Sequence, residues 1–280
     1  MSRLRNSWEL VKASWSVLLA DKELVLFPVI SFFASMIVVV TFFVPMLFAG
    51  VFDAIFAGGA QVLGLVVGFA FYIFLYFVTF FFNSALVGAA MIRLEGGDPT
   101  VSDGLRIAGQ HVGSIFGYAV IAATVGMILR AISERAGFLG QIVIGIIGFA
   151  WNIATFLVVP TLVMEGVGPL DGVKRSAELL KKTWGEQLVG NFSIGLIFGL
   201  LIFGVILVGG ALTVVTAVAG LTWLAITLAL LIVVALIALA LISSSLNGIF
   251  TAAVYQFATT GESKYFDPDM VKSTFKEKRR

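Results

Sequence analysis

Cysteine is absent from the 280 residues, histidine occurs once, and charged side chains make up only 12 % of the chain. Without thiols there can be no disulfide, no thiolate nucleophile, no iron–sulfur cluster and no cysteine-ligated zinc. The lone histidine, His111, excludes a bis-histidine haem or a multi-histidine metal site within one chain. No glycine-rich phosphate loop with a following Lys-Ser/Thr is present, and the serines have no histidine partner beyond His111. These absences imply no metal, no cofactor and no recognisable catalytic residue. A net charge of +2 is too small to suggest a nucleic-acid partner.

What replaces charge is apolar surface. Apolar residues reach 60 % and the mean hydropathy is +1.07, whereas a soluble domain carries roughly 45–50 % apolar and about 25 % charged residues. The scarcity is positional as well: Leu24 to Ile92 contains only Asp53, and Gln187 to Gly261 contains no charge. One helix needs roughly 20 residues to cross about 30 Å of hydrocarbon, so each run holds at least two spans. The expected spans lie near 24–50, 61–92, 112–131, 137–164, 188–211 and 221–258. Asp53 with Gly58-Gly59 breaks the first pair, Glu134, Arg135 and Gly137 the second, and Gly209-Gly210 with Gly220 the last.

Basic residues near span ends stay on the cytoplasmic side. Arg3, Arg5, Lys12, Lys22, Arg93, Arg106, Lys174, Arg175, Lys181, Lys182 and the basic tail from Lys264 fall on one side, and only Arg130 and Arg135 on the other. This places six spans in a cytoplasmic (inner) membrane with both termini cytoplasmic. Arg3 and Arg5 do not make a signal peptide, because the first apolar run is too long for an h-region, so the first span is expected to be uncleaved.

Three segments ahead of the hairpins carry apolar stripes at helical spacing and read as interfacial helices. The stripes are Leu4, Trp8, Val11, Trp15 and Leu18; then Val101, Leu105, Ala108 and Val112; then Leu170, Val173, Ala177, Leu180, Trp184 and Leu188. Asp98-Pro99 reads as an N-cap followed by proline at the first helical position. Trp8, Trp15 and Trp184 are the expected interfacial anchors. The fold class is therefore all-α, a polytopic membrane protein of three hairpins, each preceded by an amphipathic helix. The hairpin units cover about 3–92, 98–164 and 169–261 of a single membrane domain, 1–262, followed by a polar cytoplasmic tail, 263–280. Traces of an internal repeat survive in Glu95-Gly96 and Glu165-Gly166, in Pro99 and Pro169, and in Asp103-Gly104 and Asp171-Gly172. Small residues four apart, Ser31 and Ser35, Gly113 and Gly117, Gly195 and Gly199, mark close-packing surfaces.

The blocks SWELVKASWSVLLADKELVLFPVIS, FFNSALVGAAMIRLEGGDPTVSDGLRIA and DGVKRSAELLKKTWGEQLVGN carry a resemblance. Over nearly the whole chain, the sequence resembles a family of uncharacterised bacterial and archaeal six-span membrane proteins. More remotely, the hairpin pattern is similar to the membrane domain attached to some glycerophosphodiester phosphodiesterases; the soluble catalytic domain of those enzymes has no counterpart here. The nearer resemblance implies a fold and a location and no reaction.

Carboxylates inside spans, the usual mark of ion-coupled transport, are missing. Uncharged polar residues take their place. Asn83, Asn152 and Asn247 fall in spans two, four and six, and with Ser84 and Ser244 of the Ser243-Ser244-Ser245 run they are the candidates for a small intramembrane polar cavity. The plainer alternative is that each amide bonds a neighbouring helix. His111 reads as structural ahead of a ligand or general base, and Glu95-Gly96-Gly97-Asp98 as a turn and cap. The expected function is a non-enzymatic scaffold, assembly factor or accessory subunit whose partners are membrane lipids and other membrane proteins. The alternative is a transporter or channel for a neutral or lipidic substrate.

Overall fold

The computed structural model describes residues 12–48, 61–184 and 193–261. The expectations at Trp8, Asp53, Gly58-Gly59, Leu188 and the tail lie outside the described residues; of Trp184 only the backbone is described, at the end of its helix.

Every regular element among the described residues is helical. Six helices are long and apolar enough to cross a membrane, and their order matches the expected spans. Span one is Leu26–Phe48, entered through a 3-10 turn at Lys22–Val25; span two is Gln61–Leu94 and span three Val112–Arg135. Span four is Phe138–Ala154 continued by Val158–Met164, span five Ser193–Val218 and span six Thr222–Thr260. Spans one and two, three and four, five and six pair as hairpins, and span two is the hub, packing against spans one, three, four and six. Three linker helices complete the fold: residues 12–20, Val101–Gln110 and Pro169–Trp184.

Burial is concentrated at the end of the bundle that carries the linker helices. Leu24 and Phe27 of span one, Ala85 to Leu94 of span two, Leu157 and Leu162 of span four, and Leu246 to Phe257 of span six supply most of the core. The opposite halves of the spans expose large apolar side chains such as Phe48, Leu65, Ile146, Leu207 and Trp223. In water such surfaces would drive aggregation; in lipid they are solvated.

The linker helices turn their inward faces to the spans. Gly104 shows how tightly: a Cβ there would lie 2.5 Å from Phe27 Cζ and 2.6 Å from the Ala85 carbonyl oxygen. Gly117 of span three admits Pro169 in the same way, at 2.8 Å from its Cγ. The faces differ in part from the expected stripes. Leu18, Ala108 and Leu180 are buried as expected, yet Trp15 and Val112 are exposed, and Leu170 is 64 % exposed. On Pro169–Trp184 the inward face is Gly172, Ser176, Leu179 and Leu180. Tertiary contact with the spans selects small residues there, whereas hydrophobicity alone selects Leu170.

Three local expectations are corrected. Thr100, not Asp98, caps the second linker helix: its hydroxyl accepts from Asp103 N at 3.2 Å and Asp103 Oδ2 accepts from Thr100 N at 3.1 Å, a capping box. Asp98 is drawn away to Arg93. Gly209-Gly210 does not end span five, which runs to Val218 before Gly220 turns with φ +77°. In lipid an interrupted helix leaves backbone groups without partners, so the pair stays helical. Gly209 packs instead, since a Cβ there would meet Ile232 of span six at 2.8 Å.

Span four, expected to be continuous, is interrupted at 155–157. Pro160 explains the break: it cannot donate to Phe156 O, and its ring crowds that carbonyl. The freed Leu157 N–H donates to Ser176 Oγ of the third linker helix at 3.0 Å, with both residues fully buried. Removing that acceptor in Ser176→Ala strands a buried donor, a loss of about 1–3 kcal/mol. A drop in thermal midpoint in detergent checks it; an unchanged midpoint shows that another acceptor takes over.

Candidate functional site

The five candidate cavity residues do not share one enclosed place. Ser84 is fully buried in span two, with its hydroxyl unpartnered among the described residues. Asn83 is half-buried against span six, where a Cβ on Gly248 would stand 3.5 Å from Asn83 Oδ1. Asn152, Asn247 and Ser244 are exposed on spans four and six. The structure thus brings span two's Asn83 to the backbone beside Asn247, keeps Ser84 buried within span two and leaves Asn152, Asn247 and Ser244 at the surface. Trp15, the anchor whose side chain is described, is exposed on the first linker helix.

Polar chemistry gathers where linker helices meet span ends. At the first junction, the Arg93 guanidinium at the end of span two donates from Nη2 to Ala20 O at 3.3 Å and from Nη1 to Gly97 O at 3.1 Å. It also pairs with Asp98 at 3.3 Å. Glu23 Oε2 accepts from Val101 N at 3.1 Å, so a side chain from the first junction caps the second linker helix from outside. Asp21 caps the turn at Lys22–Val25 by accepting from Glu23 N at 3.2 Å, and only 6 % of it is exposed. Its Oδ2 and the Arg93 Nε are both buried without a partner among the described residues.

Burial pushes the Asp21 carboxyl above its ordinary value, with the Glu23 N–H bond and Arg93 working against the rise and Glu23 and Asp98 adding to it. Asp103 moves the other way, held down by its bonds to the Thr100 hydroxyl and backbone and to Arg106. The signs give opposite pH dependences. A raised carboxyl contributes stability that is complete below the unfolded value near 3.8 and is lost as pH rises through its folded value. A lowered one contributes above the unfolded value and loses it as pH falls through the folded value. Asp21→Asn keeps the cap and removes the buried charge. We expect it to raise the thermal midpoint at pH 7 and to flatten the gain seen on acidification toward pH 4. Asp103→Asn is expected to lower the midpoint at pH 7. Matching pH profiles for wild type and Asp21→Asn would contradict this.

The second junction joins the end of span four, the third linker helix and span six. Arg175 Nε donates to Glu165 Oε1 at 3.0 Å and to Oε2 at 2.9 Å, and the Tyr255 hydroxyl donates to Glu165 Oε1 at 3.2 Å. Tyr255 is 5 % exposed, so the carboxylate is steered from a packed element. His111 lies against the same loop, since a Cβ on Gly166 would sit 3.5 Å from its Cε1. Glu165 follows span four, and Gly166, at φ +65°, supplies the left-handed turn behind it. Sequence reasoning had marked Glu165 and Arg175 only as repeat and topology signals and had not marked Tyr255. No local pattern finds the set, because Tyr255 lies 90 residues from Glu165.

A third polar strip runs between spans two and three. Tyr72, Tyr76, Phe80 and Ser84 recur every four residues on span two. Tyr76 and Phe80 stack with centroids 5.6 Å apart, and Phe80 meets Tyr118 at 4.7 Å. At the far end Tyr72 accepts from Arg130 Nη1 at 3.2 Å, and Arg130 pairs with Glu134 at 2.8 Å. Among the described residues no group of three or more His, Cys, Asp or Glu could hold a metal ion.

Residues 62–265 match the model of a family described as "Family of unknown function (DUF6159)". No curated protein and no solved structure matches the chain. An uncharacterised family and six apolar helices agree with the nearer resemblance, and nothing found supports the remoter likeness to the membrane domain of glycerophosphodiester phosphodiesterases.

Proposed function

The chain belongs to the DUF6159 family, and from that premise we propose that it is a non-enzymatic multi-pass protein of the cytoplasmic membrane. In this reading both termini are cytoplasmic, and the protein acts as a scaffold, assembly factor or accessory subunit for lipids or partner membrane proteins. The carrying observation is the division of the molecule. Its polar bonds and packed core lie mostly at the linker end, while the opposite halves of the spans leave long apolar faces uncovered. Arg93 and Arg175 tie linker helices to span ends, which suits a rigid platform. The linker helices then lie at the cytoplasmic boundary, and the left-handed glycines Gly96, Gly166 and Gly261 that close spans two, four and six fit three repeated hairpins.

Mild extraction from native membranes with cross-linking tests this reading. A partner or lipid recovered in constant proportion is the expected result, and a bare monomer in several detergents counts against it. Accessibility labelling should place Lys12, Arg106 and Lys181 on one side and Arg135 on the other. A second reading has its own observation: the break at 155–157 in span four is the kind of discontinuity that forms midplane sites in transporters. Saturable uptake of neutral osmolytes or short lipids into proteoliposomes would favour it over the scaffold.

A further inference from the structure

Two arginines sit at the linker-end junctions, and they are used differently. Arg93 spends both terminal nitrogens on Ala20 O, Gly97 O and Asp98, and 21 % of its side chain is exposed; it is a clasp. Arg175 spends only Nε, on Glu165, and its two terminal nitrogens have no partner among the described residues. Its side chain is 43 % exposed. Glu165 is in turn held by the buried Tyr255 hydroxyl, so the guanidinium is positioned through a packed element and the edge that carries its terminal nitrogens is left uncommitted.

We propose that this edge of Arg175 binds a phosphate group. A guanidinium presents parallel N–H donors that match two phosphate oxygens, and an arginine already oriented through Nε loses little freedom on binding. Lys174, beside it on the third linker helix, adds a second cation; its Asp171 contact at 3.6 Å on an exposed surface is weak enough to yield. Glu165 is a positioning residue, and its charge is already engaged by Nε, so the outer edge keeps its donors. The proposal rests on the scaffold reading only for where the phosphate comes from. At a cytoplasmic membrane boundary the source is the headgroup of an anionic phospholipid, and the same chemistry admits free phosphate.

The test uses the full chain in nanodiscs of a neutral, phosphate-free galactolipid alone or with one-fifth phosphatidylglycerol. In wild type the phosphatidylglycerol discs should protect Arg175 from phenylglyoxal, read by peptide mass spectrometry, while the exposed Arg106 reacts in both. Protection by inorganic phosphate in the galactolipid discs would assign the site to the free anion and equally support a phosphate fork. Arg175→Gln should lower bound phosphatidylglycerol in native mass spectrometry at least tenfold, Arg175→Lys should retain part of it, and Glu165→Gln should weaken it with Arg175 still present. Equal reactivity of Arg175 in every disc and with phosphate overturns the proposal. Because that readout uses unaltered protein, misfolding of a variant cannot hide the result. A failure here, with partner recovery intact, leaves the scaffold reading standing.

Discussion

Gly104→Ala should cost the protein up to about 2 kcal/mol net, although alanine is the better helix former. In an open helix the exchange gains about 1 kcal/mol. Here the new Cβ would meet Phe27 Cζ at 2.5 Å and the Ala85 carbonyl oxygen at 2.6 Å. Phe27 is fully buried and cannot swing clear, and the carbonyl belongs to span two's backbone, so the second linker helix must lift away. Overpacking of that kind costs about 1–3 kcal/mol, and larger side chains cost more. Gly104→Val should therefore leave little folded protein, whereas Gly109→Ala on the same helix, with open space around it, should be neutral or stabilising. Thermal midpoints of the three variants in one detergent decide the matter, and equal behaviour of Gly104→Ala and Gly109→Ala would contradict the packing account.

The second large effect concerns Arg93. Arg93→Leu removes the donors to Ala20 O and Gly97 O and the positive charge that acts on buried Asp21. Losing a hydrogen bond donated by a charged group costs about 1.5–3 kcal/mol, and the exposed edge of Arg93 keeps the total near the lower figure. The loss should be smaller at pH 5 than at pH 8. Adding Asp21→Asn should return about 1 kcal/mol, since the remaining buried group is then neutral. A double variant no more stable than Arg93→Leu at pH 8 would show that the clasp acts through its backbone bonds alone.

The spans were legible because lipid tolerates so few alternatives. Apolar runs such as Ser193–Val218 and Thr222–Thr260 are helical because that satisfies their backbone groups, and only the position of the turn between them was open. It falls at Gly220 and not at Gly209-Gly210, since either glycine site can break a helix and the facing Ile232 decides. The linker helices were legible as helices and only partly as faces. Val101, Leu105 and Ala108 turn inward as their spacing suggests, but Leu170 does not, because Gly172 and Ser176 fit closer to span four. The junction bonds were not legible. Arg93 to Ala20 and Glu165 to Tyr255 join residues 73 and 90 positions apart, and a single sequence carries no trace of such pairings. Pro160 did carry a signal for the break in span four, and it was overridden by the apolar run around it.

The way the core is shared along the chain has a consequence for biosynthesis. Ala85, fully buried, is covered by Gly104 of the second linker helix soon after it is made, but the glycine that packs against its fully buried neighbour Leu86, Gly248, is nearly the last of the described residues to be synthesised. At translation speeds of about 5–20 residues per second, the ribosome leaves that surface half-clad for on the order of ten to thirty seconds. A chain truncated before span six never completes that packing and should be a preferred substrate for membrane proteolysis.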